Sequence, residues 1–428
     1  MRIRRFLILA GLVAPLLSSC NDSLESIDLS KVSNKLEYQL SGKIVAEMQK
    51  KGMATTSPIM LRIFKEEGTL EVWKAKSDQR FDKIASYKIC AWSGRLGPKV
   101  KEGDRQAPEG FYDLTRANLN PNSKYYLAIN TGYPNNFDRS LGRFGTNLMI
   151  HGACSSSGCY SMTDAQVLEI YALARDAFKG GQKTVQLQAL PFRMTAENMA
   201  RHRLSPHYEF WKMLKVGYDN FEITKRPPEV NVCNKAYVFN QDAGGKSFNP
   251  GGSCPQMTTP PALAAALASY NKQYDQDYAA ALKKYDDKVW YDPTEAERKA
   301  VVAKLRKGRE LAFAPTGTAL EAGKLVSIEE YEAKLAGTAP KTPAKQSKGD
   351  VKAAGDTLTA STNPSTPAVH AAKPDTTAAA LNPAPAQATD TAKPGQATPS
   401  VPVPTPSPND PVATAAVQPE KKPFWKLW

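Results

Sequence analysis

Along residues 58–151 the apolar positions fall in short runs punctuated by Gly, Pro, Asn and Asp. The runs 59–64, 69–73, 84–89, 111–114, 125–129 and 147–151 have the length and the β-branched or aromatic content of strands. A further run, 184–190, adds one more. Elsewhere the period is helical. Leu36, Leu40, Ile44, Val45 and Met48 predict one amphipathic helix over 21–56. Thr163-Asp164-Ala165-Gln166 has the form of a capping box, and Val167, Ile170, Tyr171, Ala174 and Phe178 follow on one face up to Gly180-Gly181. Ser205-Pro206 predicts a second helix stopping near Gly217. Leu263, Leu267, Tyr270, Tyr274, Tyr278, Leu282, Tyr285 and Val289 form a stripe spaced by three and four. It reads as a packed helix–helix seam rather than a glycan surface, and with a returning arm at 294–313 it predicts a helical hairpin over 261–335. The expected class is mainly β (α+β), with helices inserted in a β-rich core.

Composition changes the picture at both ends. Residues 336–428 are Ala, Pro, Thr and Lys with few large apolar side chains, and they hold 16 of the 32 prolines. Such a segment cannot bury a core and is expected to be disordered, with a reach of roughly 50 Å as a coil. Its last residues, Phe424-Trp425-Lys426-Leu427-Trp428, are either an aromatic docking tag or an unremarkable end. Arg2, Arg4 and Arg5 precede an apolar stretch from Phe6 to Leu17, too short to span a bilayer and shaped like an export signal. Leu17-Ser18-Ser19-Cys20 resembles a bacterial lipobox, which would place a lipid on Cys20 and the chain in the periplasm, anchored to membrane. The formal charge is +14; from residue 337 onward nine Lys face five Asp and one Glu, leaving +11 on the rest. A basic body suits an anionic partner, and export argues against nucleic acid.

There are six cysteines: 20, 90, 154, 159, 233 and 254. With one lipidated and one reactive, four are left for two disulfides in an oxidising compartment. Cys233 and Cys254 flank a Gly-rich segment and predict a pinned loop over 226–260, leaving Cys90 to pair with Cys154. No spacing suits a zinc site, and no cofactor is expected.

The chemistry concentrates in residues 150–162, Ile-His-Gly-Ala-Cys-Ser-Ser-Ser-Gly-Cys-Tyr-Ser-Met. A thiolate is the nucleophilic form of cysteine, so a catalytic Cys159 needs a base, and His151 lies across a Gly- and Ser-rich step that can fold back. The amides of Gly158 and Cys159 are candidate oxyanion donors. Spacing alone leaves a second reading open, a buried histidine beside a Cys154–Cys159 disulfide.

His-Gly followed by Ser-x-Gly-Cys resembles the signature of the L,D-transpeptidase (YkuD-type) catalytic domain, and the stretch 158–164 is similar to its YafK-like subgroup. So are Gly94-Arg95-Leu96-Gly97-Pro98-Lys99, the stretch 102–110, and Gly132-Tyr133-Pro134-Asn135-Asn136. The resemblance covers residues 57–225 and implies a mixed β-sandwich catalytic domain acting on peptidoglycan stem peptides. It puts the nucleophile on Cys159, the base on His151, and the support before the nucleophile on Ser157 and Gly158. It implies a thioester at the diaminopimelate carbonyl, resolved by an amine or by water. Arg105 is a candidate for holding a stem carboxylate or, equally, an anchor for its turn; Arg139 and Arg143 are further candidates. Typical members place His or Arg before Gly-Cys and Arg or Asn two residues after it, where this chain has Ser157 and Ser161. The acceptor is therefore open. The same acyl-enzyme would serve a hydrolase releasing a covalently attached outer-membrane lipoprotein from the wall. A third reading, from another class, is a non-catalytic wall-binding lipoprotein.

Overall fold

A computed structural model describes residues 27–307 and 323–337. The lipobox with Cys20 and the Pro-rich tail lie outside the described residues.

Two five-stranded sheets carry the structure. The first consists of β1 (Ile59–Phe64), β2 (Thr69–Ala75), β3 (Phe81–Lys88), β5 (Gly110–Leu114) and β10 (Val185–Leu190), in the order β3-β2-β1-β10-β5. The second consists of β4 (Ala91–Trp92), β6 (Leu119–Asn120), β7 (Ala128–Asn130), β8 (Met149–His151) and β9 (Tyr160–Ser161), in the order β4-β9-β8-β7-β6. Each sheet is antiparallel except for one parallel pair, β1 with β10 and β8 with β9. β1 and β10 are buried along their whole length, Arg62 of β1 and Gln186 and Gln188 of β10 included. Helix α3 (Asp164–Lys179) packs on β1, β7 and β8, and so on both sheets. Its capping box is formed as expected, with Thr163 Oγ1 accepting from the Gln166 amide and Gln166 Oε1 from the Thr163 amide. Residues from both sheets and α3 share one apolar core.

The N-terminal segment departs from the expected single helix over 21–56. It is helical only in α1 (Gly42–Lys50), which buries Ile44 and Met48 against β3. Before it, Asp28 accepts the amide of Ser30 and Asn34 that of Leu36, and Ser41 caps α1 through the Ile44 amide. Side chains that bond local amides in this way break the chain into turns.

A short α2 (Asn136–Ser140) follows β7, and α4 (Ala196–Arg201) follows β10. Helix α5 begins at Tyr208, just past Ser205-Pro206, and runs through Gly217 to Thr224. Gly217 is therefore not a stop. A methyl group there would come within 2.4 Å of Phe111 and 2.5 Å of Phe239, so the glycine lets the helix approach the sheet. Gly217→Ala should cost about 1–3 kcal/mol by overpacking. Urea unfolding checks this; an unchanged midpoint would show that the two rings yield freely.

Strands β11 (Val230–Cys233) and β12 (Ala236–Phe239) form a hairpin packed on α5, and the Cys233–Cys254 disulfide ties the following loop to it. Helix α6 (Pro261–Lys284) lays its stripe on α4 and α5, with Tyr278 Oη 2.8 Å from Tyr208 Oη. The stripe is thus a seam between helices, but the hairpin expected over 261–335 is not what forms. After α6 come β13 (Lys288–Tyr291), α7 (Glu295–Arg306), β14 (Lys324–Ser327) and α8 (Ile328–Leu335). β13 and β14 pair, and Val289, Tyr291, Val326 and Tyr331 make their own small cluster. Burial alternates along Lys288–Tyr291, a strand pattern, and Thr294 with Glu297 caps a separate helix.

Candidate active site

His151 ends β8, and Cys159 directly precedes β9. The parallel register sets Ile150 opposite Tyr160 and His151 opposite Ser161. One step back Cys159 lies beside Met149, whose amide donates to Cys159 Sγ at 3.4 Å. Residues two apart along a strand share a face, so His151 and Cys159 stand on the same side, roughly 8 Å apart between Cα positions by strand spacing and rise. The intervening loop is pinned by the Cys90–Cys154 disulfide, and Cys159 is the free cysteine among the described residues. The alternative Cys154–Cys159 bridge is not what forms.

The histidine is held from several directions. It is 3 % exposed and stacks on Tyr125 with ring centroids 4.6 Å apart. Its Nδ1 lies 2.6 Å from the Gly152 carbonyl oxygen. A ring nitrogen that close to a carbonyl carries the proton, which leaves Nε2 with the basic lone pair. Ser161 Oγ donates to the same carbonyl at 3.3 Å and accepts the Ser155 amide at 2.7 Å. Burial pushes the imidazole below its usual value, opposed by the Gly152 carbonyl and by the charge of Asp164.

Burial likewise pushes the Cys159 thiol up, opposed by the Met149 amide and by the Lys99 ammonium. The thiol also donates to the Asn147 carbonyl at 3.5 Å. Lys99 is 3 % exposed and paired with Asp104, whose carboxylate also accepts the amides of Val100, Lys101 and Gln106. A raised thiol beside a lowered imidazole means a neutral pair at neutral pH, so sulfur would lose its proton as attack proceeds. Alkylation of Cys159 by iodoacetamide should accordingly keep rising with pH past 9, the ordinary thiol value. A rate that levels off near neutrality would show instead a preformed thiolate–imidazolium pair.

The supporting residues sort differently from the sequence reading. The amides of Gly158 and Cys159 both donate to Ser156 Oγ, at 3.4 and 3.1 Å, so neither is free for an oxyanion. Ser156 in turn donates to the Cys159 carbonyl at 2.7 Å and accepts from Ser93 at 3.0 Å. Gly158 is required for its φ of +125°, whereas Ser157 is exposed and its neighbour makes the ties. Arg143 is paired with Asp138 at 3.2 Å and lies over the rings of Phe137 and Phe210, which gives it a structural role and not the expected substrate contact. Arg139 is spent on the Pro134 carbonyl and on Asn136. Arg105 is exposed next to Gly158 and makes no hydrogen bond or ion pair with a described residue. Its turn is anchored by Asp104, so the anchoring reading of Arg105 falls away. The sequence marks Ser161 only as a departure from the family pattern and Lys99 only within Gly-Pro-Lys, and it gives no signal for Ser156. Among the described residues no group of three or more His, Cys, Asp or Glu side chains is placed to hold a metal.

Residues 62–185, which include the paired β8 and β9, match the L,D-transpeptidase catalytic domain (YkuD). The chain belongs to this family: it is 43 % identical over 244 residues to YafK of Escherichia coli K12, a protein named as a candidate L,D-transpeptidase, covering 57 % of this chain and 93 % of that one. YafK of Escherichia coli O157:H7 matches to the same extent. Among solved structures, the helical cell shape determining protein Pgp2 of Campylobacter jejuni is 17 % identical, covers 58 % of this chain and 80 % of its own, and has a TM-score of 0.27. Bd1075 of Bdellovibrio bacteriovorus is 18 % identical, covers 55 % and 75 %, and has a TM-score of 0.24.

Proposed function

We propose that this protein is a cysteine-dependent L,D-transpeptidase acting on peptidoglycan stem peptides. The observation that carries the reading is the β8–β9 pairing, which puts a free thiol and a histidine with a basic Nε2 on one sheet face. Cys159 Sγ attacks the carbonyl on the L-centre of diaminopimelate and His151 takes the thiol proton. The C–N bond to the terminal D-residue then breaks, and that amine leaves with the proton. An amine of a second stem resolves the thioester and regenerates the thiol. Arg105, beside Gly158 and unpaired among the described residues, would hold a stem carboxylate. The signal and lipobox reading of residues 1–20 places this chemistry in the periplasm on a lipid anchor at Cys20, for which an acylated N-terminal Cys20 in the mature protein is the test.

Water in place of the amine would make the same site a hydrolase. The test is mass spectrometry of muropeptides after incubation with the protein, using tetrapeptide stems and stems still carrying a lipoprotein C-terminal peptide. New cross-linked or amine-exchanged products are expected. Loss of the attached peptide with no new link would replace transpeptidation by hydrolysis.

A further inference from the structure

The imidazole of His151 lies under a second ring. It is 3 % exposed, whereas the Tyr125 ring stacked on it, with centroids 4.6 Å apart and planes 30° apart, is 51 % exposed. The phenol is therefore the solvent-facing layer of the pair. Its hydroxyl makes no hydrogen bond with a described residue, so the ring is held in place by its backbone and not by its tip.

That backbone takes a disfavoured path. The Leu127 amide donates to the Tyr125 carbonyl at 2.9 Å across a three-residue turn centred on Tyr126, whose φ is +67°. An aromatic residue avoids this left-handed region, and such a turn lasts only where its surroundings hold it. Two groups do so here. The Gly152 amide donates to the carbonyls of Tyr125 and Leu127 at 3.1 and 3.3 Å, and the carbonyl of the same Gly152 accepts from His151 Nδ1. From elsewhere in the chain, Lys35 Nζ donates to the Tyr126 carbonyl at 2.7 Å and lies 5.4 Å from the centre of the Tyr126 ring. Lys35 makes no ion pair with a described residue, which leaves the carbonyl and the ring as its polar contacts. Its own segment is fixed by Arg175 of α3, which donates to the carbonyls of Leu36 and Tyr38 at 2.7 and 2.9 Å. Lys35 precedes the residues, 62–185, that match the family's catalytic domain.

We propose that Tyr125 is a positioning residue for His151, and that Lys35 holds it there from outside the matched catalytic domain. The inference rests on the reading of His151 as the base. An imidazole bonded at Nδ1 alone can rock about that bond; a second ring laid on its face stops the motion and keeps water off. The Nε2 lone pair then keeps one direction. Excluding water also disfavours the charged ring, the direction in which burial already moves it. The charged groups bearing on the pair are Asp164 at the start of α3, which opposes that shift, and Lys99, whose ammonium acts on Cys159.

Steady-state turnover of tetrapeptide stems and an NMR titration of the histidine rings, both on the whole protein, test this. The spectrum of His151→Ala identifies the His151 signal by its loss. Tyr125→Ala is expected to lower kcat roughly thirty-fold with KM within about two-fold, and to raise the His151 midpoint toward the ordinary 6.5. Tyr125→Phe, which keeps the ring, should restore both. Lys35→Met should lower kcat roughly five-fold and shift the midpoint the same way, and should add nothing to Tyr125→Ala, because the ring it holds is then gone. A rise in KM with kcat unchanged in Tyr125→Ala would make the ring a substrate contact and overturn the proposal. So would an unmoved His151 midpoint, or a Lys35→Met loss that adds to that of Tyr125→Ala. His151→Ala separates the two failures: parent-like turnover there removes the base and this proposal with it, whereas lost turnover there with parent-like Tyr125→Ala removes the proposal alone.

Discussion

Cys159→Ala should lower turnover of tetrapeptide stems by roughly 10^4-fold or more while leaving the unfolding midpoint close to that of the parent protein. The first half follows from the proposed reaction, for which the described residues offer no other free cysteine: Cys90 and Cys154 are bridged to each other, as are Cys233 and Cys254. The second follows from packing. Cys159 Sγ accepts one long bond from the Met149 amide and donates another to the Asn147 carbonyl, and the loop is tied down by Ser156 and the Cys90–Cys154 bridge instead. His151→Ala should cost a comparable amount, and the double variant little more than either alone, since in the proposed reaction base and nucleophile would act as one unit. Residual turnover within ten-fold of the parent in Cys159→Ala would remove Cys159 from the mechanism.

Lys65→Met should destabilise the protein by about 3–5 kcal/mol, the cost of leaving a buried charge without its partner. Lys65 and Glu109 are both fully buried and paired at 2.8 Å. Lys65 also donates to the carbonyls of Arg95, Gly97 and Ala107, and Glu109 accepts from the Gly97 amide and from Trp211 Nε1. The pair therefore fastens both ends of the 95–109 segment to β1 and α5. Glu109→Gln in the Lys65→Met background should recover part of the loss, because it removes the stranded charge. Urea unfolding of the two variants reads this directly; a loss below 1 kcal/mol in Lys65→Met would mean that the site admits water. Turnover should fall as well, since the same segment presents Lys99 and Arg105 near Cys159.

Local features of the fold were readable from sequence, and features that depend on what packs against a segment were not. The Thr163–Gln166 box needs only four adjacent residues, and it formed as written. The strand runs at 59–64 and 184–190 were legible, but nothing in either says that they lie side by side and parallel. Gly217 looks like a helix end in isolation because its real constraint, the rings of Phe111 and Phe239, arrives from distant strands. The site divides in the same way. His151 and Cys159 share one short motif. Lys99 acts on Cys159 only through its charge and only in the folded chain, Arg143 becomes structural only once Asp138 faces it, and the oxyanion reading failed because a neighbouring hydroxyl took both amides.

The Cys90–Cys154 bridge has a consequence in synthetic terms. Cys154 is five positions from Cys159 on the same loop, and as a free thiol it would be a ready partner for sulfur–sulfur oxidation and a competitor for any electrophile. Joined to Cys90, it is masked, as a chemist masks one of two like groups before using the other. The fold thus carries its own protecting group, and a strong reductant would not merely loosen the loop: it would erase the difference between its two sulfurs.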